Sequence, residues 1–184
     1  MSKKTFISQF FKPGNKVGAL APSSRFLAAK MLKNINFDTC KTIVEFGPGT
    51  GAFTGVIQQR MPVDCKLLII ELNETFYEEL TAKFTNEQTE VINGSATELM
   101  EILKARNIQH ADCIISSLPL AIFDESLRAQ ILGTAHASLS AGGYFVQFQY
   151  SLQSKKAIKQ FFNELSLDFT PLNFPPAFVY HCKK

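Results

Sequence analysis

The stretch Val44-Glu45-Phe46-Gly47-Pro48-Gly49-Thr50-Gly51 constrains this chain more than any other. Three glycines at alternate positions follow an apolar run and precede a helical pattern, so a strand must turn tightly into a helix here. Glycine permits positive φ and removes the Cβ that would block a close backbone approach. The N–H groups at the helix start then face whatever lies over the loop. Glu71, twenty residues past Gly51, closes the next apolar run. An acid in that place is positioned for hydrogen bonds to ribose hydroxyls.

The remainder repeats the same alternation. Strands are predicted over 42–46, 67–71, 90–93, 112–116 and 144–150, with helices over 52–60, 75–84, 97–106, 125–139 and 155–165. The tail reads as two strands, 168–174 and 178–182, joined by Pro175 and Pro176. Strands separated by single helices imply a mostly parallel sheet wound on both faces. The closing pair leaves no room for a crossover helix, so one tail strand should run antiparallel. The expected fold is therefore α/β: a Rossmann-like, doubly wound, seven-stranded sheet with one antiparallel strand near the C-terminus, preceded by N-terminal helices. Residues 1–41 form the basic helical and substrate-cap segment, and 42–184 the ligand-binding domain.

With 184 residues, 46% of them apolar and 19% charged, the chain is long enough to bury one core and too apolar to be disordered. No apolar run approaches the roughly 20 residues of a membrane span. The net charge of +3 argues against a strongly basic nucleic-acid binder, but its distribution is uneven. Residues 1–41 carry eight basic residues against one acid, while the rest carry eleven against fifteen. Within the basic front, Phe6, Ile7, Phe10 and Phe11 share one helical face flanked by Lys3, Lys4 and Lys12. Such a face suits a membrane interface, or else covers the sheet. The start lacks the continuous apolar core of a secretory signal, and Cys40, Cys65, Cys113 and Cys182 form no C-x-x-C pair. These features fit buried thiols in a cytoplasmic protein. The sequence holds no metal-ligand pattern, and His110, His136 and His181 read as structural.

Two cofactor classes use such a glycine loop. Gly47, Gly49 and Ala52 loosely match a dinucleotide fingerprint. Read as E-x-G-x-G-x-G, the loop resembles motif I of class I S-adenosylmethionine-dependent methyltransferases. Three features favour the second: Glu45 in the acidic position, the helical preamble, and a tail able to supply an antiparallel final strand. The resemblance implies that Glu45, Gly47, Pro48, Gly49, Thr50, Gly51, Glu71, Leu72, Ser95, Ala96 and Ser116 bind the cofactor. Ser95 stands where this superfamily often has Asp, and equally fits a helix N-cap.

The chain resembles, over nearly its whole length, the bacterial phospholipid N-methyltransferases, which are related to ribosomal RNA adenine dimethylases. The likeness rests on the glycine loop and Glu71-Leu72-Asn73, on Val17-Gly18-Ala19-Leu20-Ala21-Pro22-Ser23-Ser24-Arg25, on Ser117-Leu118-Pro119-Leu120, and on Asn173-Phe174-Pro175-Pro176-Ala177-Phe178-Val179-Tyr180. It implies methyl transfer from S-adenosylmethionine to the amine of phosphatidylethanolamine at a membrane surface. Lys16, Ser23, Ser24 and Arg25 are then candidates for the lipid phosphate. Ser117, Leu118, Pro119 and Tyr180 are candidates for the reaction site, with Asp124, Glu125, Tyr150 and Tyr180 as possible bases. Adenine-methylating relatives carry an amide or acid at the position of Ser117 and a stacking aromatic at that of Leu120. Their absence here argues against a planar base. Methylation of RNA adenine at N6 and an inactive membrane-associated binding protein are the alternatives; nucleic acid is the less expected partner, and oligomeric state is not readable.

Overall fold

Runs such as Thr42–Phe46 and Lys66–Glu71 place apolar residues at consecutive positions, so a strand made from them must bury both faces. A parallel sheet covered by helices on each side meets that condition. The structure, a computed structural model, describes residues 24–184, without the side chains of Ser24 and Arg25. The Phe6, Ile7, Phe10 and Phe11 face, Lys16 and Ser23 lie outside the described residues, and of Ser24 and Arg25 only the backbone is described.

Seven strands form one sheet: β1 (Thr42–Phe46), β2 (Lys66–Glu71), β3 (Thr89–Asn93), β4 (Ala111–Ser116), β5 (Leu139–Gln149), β6 (Glu164–Thr170) and β7 (Ala177–Lys183). Their order is β3-β2-β1-β4-β5-β7-β6. Strands β1 to β5 are parallel, and β7 runs antiparallel to both β5 and β6. The expected doubly wound sheet with an antiparallel closing strand is the fold observed.

The helices are α1 (Ser24–Leu32), α2 (Thr54–Arg60), α3 (Glu74–Phe84), α4 (Leu99–Ala105), α5 (Glu125–Ser138) and α6 (Lys155–Phe161). On one face Leu99, Leu103, Ile131 and Ile158 from α4 to α6 pack on Phe46, Ile70, Ile114 and Phe145. On the other, Leu27, Met31, Ile57 and Leu80 from α1 to α3 pack on Ile43, Ile69, Ile115 and Val146. Caps fix where helices begin: Asn73 Oδ1 accepts the Phe76 N–H at 3.1 Å, and Asp124 Oδ1 accepts that of Leu127 at 2.8 Å. The four cysteines are all buried. Burial raises their thiols, Cys40 to about 11 and Cys65 and Cys182 to about 12, so they stay protonated.

Several boundaries differ from expectation. Helix α2 begins at Thr54, because residues 47–53 are needed for the loop. The helix expected over 97–106 is a short 3₁₀ turn, Ala96–Glu98, followed by α4. Ser95 opens that turn with a capping box, its Oγ accepting the Thr97 N–H and Glu98 accepting the Ser95 N–H. Strand β5 begins at Leu139, five residues early, and passes through Gly142 at φ +77° with a register shift against β4. Helix α6 stops at Phe161, and β6 occupies Glu164–Thr170 rather than 168–174. Ile158, Phe161, Phe162 and Leu165 fit helical spacing, which hid the two-residue alternation of Leu165, Leu167 and Phe169.

Candidate active site

The strand order reverses between β1 and β4, and in an open α/β sheet that switch point leaves a crevice beyond the carboxyl ends of the strands. Two loops meet there. The glycine loop leaves β1, and residues 117–119 leave β4. The Ser117 N–H donates to the Phe46 carbonyl at 2.9 Å, and the Gly47 N–H to the Ile70 carbonyl at 2.9 Å, tying both loops to neighbouring strand ends.

Gly47, Gly49 and Gly51 all have positive φ, +57°, +59° and +79°, which explains their residue type. Their surroundings differ. A Cβ on Gly47 would lie 2.7 Å from Leu118 Cδ2, and one on Gly51 would run into the Phe84 ring. One on Gly49 would meet no atom of the described residues within 4 Å. Gly47 and Gly51 are thus glycines because the protein packs against them, whereas among the described residues nothing stands over Gly49. Between them the Pro48 carbonyl accepts the Gly51 N–H at 3.1 Å, and Thr50 is exposed at the tip.

Two carboxylates flank this loop. Glu71, at the end of β2, accepts the Gly49 N–H on Oε2 at 3.3 Å and the Asn73 N–H on Oε1 at 2.9 Å. Burial raises its pKa, and these backbone donors act against that. Glu45 is 0% exposed. Its Oε2 accepts the Thr54 hydroxyl at 2.7 Å, while its Oε1 has no partner among the described residues. Burial raises this carboxyl to about 8; the Thr54 hydroxyl opposes the shift and the charge of Glu71 adds to it.

A cleft beside the loop brings together Gly47, Glu71, Leu72, Ser95, Ala96 and Leu118, six of the residues singled out from sequence; Ile70, Gly94, Phe123 and Ile131 complete its wall. Ser116 lies just behind, fully buried, its Oγ accepting the Leu118 N–H at 3.3 Å. Ser117 Oγ is buried with no partner among the described residues. Pro119 leads into a 3₁₀ turn, Leu120–Ile122. Tyr180, on β7, is fully buried and its hydroxyl donates to the Ser151 carbonyl at 3.3 Å. Asp124 and Glu125 are exposed at the start of α5, with Asp124 engaged as its cap.

The sequence pattern of the ribosomal RNA adenine dimethylase family matches residues 23–137. The chain belongs to that family. It is an S-adenosylmethionine-dependent methyltransferase. A curated relative, the ornithine lipid N-methyltransferase of Singulisphaera acidiphila, is 33% identical over 180 residues, 97% of this chain and 94% of that one. Among solved structures, the N-methyltransferase NodS from Bradyrhizobium japonicum WM9 in complex with S-adenosyl-l-homocysteine aligns at a TM-score of 0.70 and 11% identity, covering 98% of this methyltransferase and 96% of NodS. A Burkholderia thailandensis 1,6-didemethyltoxoflavin-N1-methyltransferase aligns at 0.74 and 13%, covering 98% and 86%. These two likenesses show the fold.

The residues of this methyltransferase fit the cofactor. The space over Gly49, open among the described residues, admits a ligand against the backbone, Glu71 ends its strand at the cleft, and Glu45 holds a buried acceptor with no partner among the described residues. Sequence reasoning missed Thr54, which supports Glu45, and the glutamines Gln147 and Gln149 on β5. Their signal was present: Gln147-Phe148-Gln149 places two amides in an otherwise apolar inner strand.

Proposed function

We propose that this methyltransferase transfers methyl groups from S-adenosylmethionine to the primary amine of a membrane lipid head group, of the kind found in phosphatidylethanolamine. The observation that carries this reading is the state of the loop after β4. Leu120, where adenine-methylating relatives present a stacking ring, is 0% exposed and packed in the core. The Leu118 carbonyl accepts the Leu120 N–H at 2.9 Å and side-chain amides of Gln147 and Gln149 at 3.0 and 2.9 Å. A carbonyl has two lone pairs, so this one is already filled and the acceptor amine is held by other groups. The loop offers no flat surface to stack a base, while the apolar wall of Leu118, Phe123 and Ile131 suits a small amine on a flexible lipid. The ornithine lipid N-methyltransferase relative supports the same class of acceptor. The family pattern named for RNA adenine keeps the N6 of adenine as the competing acceptor.

The cofactor, when bound, supplies a methyl group already activated on a sulfonium. Glu45 and Gly49 would face its methionine end, and Glu71 its ribose. Ser95 and Ala96 would lie along the adenine, leaving Leu118 and Pro119 beside the reacting centre. What remains for the protein is alignment and exclusion of water. The acceptor amine must also arrive without its proton. Burial raises both Tyr150 and Tyr180, so neither phenol is ionised near neutrality. Tyr180 then acts through position, beside Gln147 in the sheet register. Lys16, Ser23, Ser24 and Arg25 would meet the lipid phosphate, and Phe6, Ile7, Phe10 and Phe11 the membrane interface.

Release of S-adenosylhomocysteine tests this directly. Vesicles of phosphatidylethanolamine should raise it at least about tenfold over protein alone, because their primary ammonium can give up a proton and free a lone pair for attack. Vesicles of phosphatidylcholine, whose nitrogen is fully substituted, should not. Phe10→Asp combined with Phe11→Asp should lower the vesicle-stimulated rate. Stimulation by ribosomal RNA and not by lipid would reverse the reading.

A further inference from the structure

Strand β5 carries a feature that its neighbours lack. On the face bearing Phe145, the next two positions toward the carboxyl edge are Gln147 and Gln149, 0% and 5% exposed. An amide moved from water into a core is unfavourable unless its groups are paired, so packing alone would favour leucine or valine here. Both amides converge on one target. Their Nε2 groups donate to the Leu118 carbonyl at 3.0 and 2.9 Å, and to the Phe148 carbonyl at 2.6 and 2.7 Å. Gln149 Oε1 also accepts the Ala121 N–H at 3.2 Å. Strand β5 therefore grips the loop at Leu118 and again at Ala121.

The grip has a place in the site. Register aligns Ile70, Phe46, Ser116, Gln147 and Tyr180 in one row across β2, β1, β4, β5 and β7. Gln147 thus stands between Ser116, which holds the Leu118 N–H, and Tyr180. Its own Oε1 is buried with no partner among the described residues, an expensive state in a core. Pro119 contributes no N–H, and the loop's own bonds, from Leu120 N–H to the Leu118 carbonyl and from Ile122 N–H to the Pro119 carbonyl, do not tie it to β5. Yet its Leu118 side chain is the atom group packed against Gly47 in the cleft wall.

We propose that Gln147 and Gln149 are positioning residues for methyl transfer, clamping the Leu118 carbonyl so that the loop after β4 keeps its place between cofactor and acceptor. This rests on the reading of the cleft as the S-adenosylmethionine site. Displacement of aligned groups by about 1 Å costs on the order of a hundredfold in rate, whereas cofactor affinity, assigned above to Glu45, Gly49 and Glu71, changes little.

The test uses the full chain with the volume-conserving substitutions Gln147→Met and Gln149→Met, singly and together. In the double variant, kcat for lipid-stimulated S-adenosylhomocysteine release should fall at least about tenfold. The KM for the lipid and the Kd for S-adenosylmethionine should stay within about threefold. Hydrogen exchange at the Ala121 amide should quicken in Gln149→Met and in the double variant, because its acceptor is gone. If the double variant does not fold, the single variants should show the same separation at smaller size. A kcat within about twofold of wild type contradicts the clamp, as does a joint loss of kcat, cofactor binding and thermal stability, the pattern of a purely structural role. Wild-type protein that binds no S-adenosylmethionine contradicts the cofactor reading itself. Wild-type protein that binds it but methylates no lipid contradicts the acceptor reading, and the Ala121 exchange rate then decides the clamp: unchanged exchange in Gln149→Met overturns it.

Discussion

Replacing Gly49 with valine is expected to weaken S-adenosylmethionine binding by about a hundredfold or more while the protein still folds. Gly49 has φ +59°, and a Cβ there would meet no atom of the described residues within 4 Å. The substitution therefore adds left-handed strain of about 1–2 kcal/mol without a Cβ collision among the described residues. The isopropyl group would occupy the volume that the bound cofactor needs against the loop backbone. Gly51→Val makes the contrasting case, with φ +79° and the Phe84 ring and Leu80 already in the way. Its strain and overpacking together should cost roughly 3 kcal/mol or more, lowering the thermal midpoint by about 6 °C or more. Calorimetric titration with S-adenosylmethionine and a thermal unfolding curve for each variant separate the two effects. A Gly49→Val protein that binds with wild-type affinity would remove the loop from the cofactor site.

Glu45→Gln should change the pH dependence of stability and the proton balance of cofactor binding together. Burial raises the Glu45 carboxyl from its ordinary 4.5 to about 8. Between those values the folded protein holds a proton that the unfolded chain has released. The stability associated with that proton is fully present below about 4.5 and is lost as the pH rises through about 8. Denaturant unfolding of the wild type should therefore show stability declining across this window, and Gln, neutral in both states, should remove the decline attributable to this site. The same buried acid explains a second expectation. Cationic groups at the methionine end of the cofactor would favour the ionised carboxylate, so binding near pH 7 should release a proton to the buffer. Titrations in buffers of different ionisation heat measure that release, and Glu45→Gln should abolish it. Proton release unchanged in the variant would assign it to another group.

The parts of this molecule legible in the sequence are those with one physical cause. Strand β1 is bounded as expected because an apolar run ends at glycines whose conformation no other residue adopts easily. The antiparallel β7 followed from chain length alone, since Thr170 and Ala177 are too close in sequence for a crossover helix. The less legible parts had two causes in competition. Residues 158–165 satisfy helical and strand spacing at once, and the boundary was settled by pairing of Leu165 with Cys182 and Leu167 with Tyr180 on β7. The entry to β5 depends on a register shift at Gly142 that no alternation pattern encodes. In the site, Glu45, Gly47, Glu71 and Ser95 announced themselves by residue type at a strand end. Gln147 and Gln149 did not, because their partner is a backbone carbonyl on a different loop, and only tertiary structure brings the two together.

The acceptor is the center of this account, and the destination of the methyl group tests it most directly. S-adenosylmethionine labelled in its methyl group, incubated with the wild-type protein and a mixture of phosphatidylethanolamine vesicles and ribosomal RNA, should leave label in the lipid extract as N-methylated head group and none in the RNA. Label recovered in RNA adenine with the lipid unmodified would contradict it.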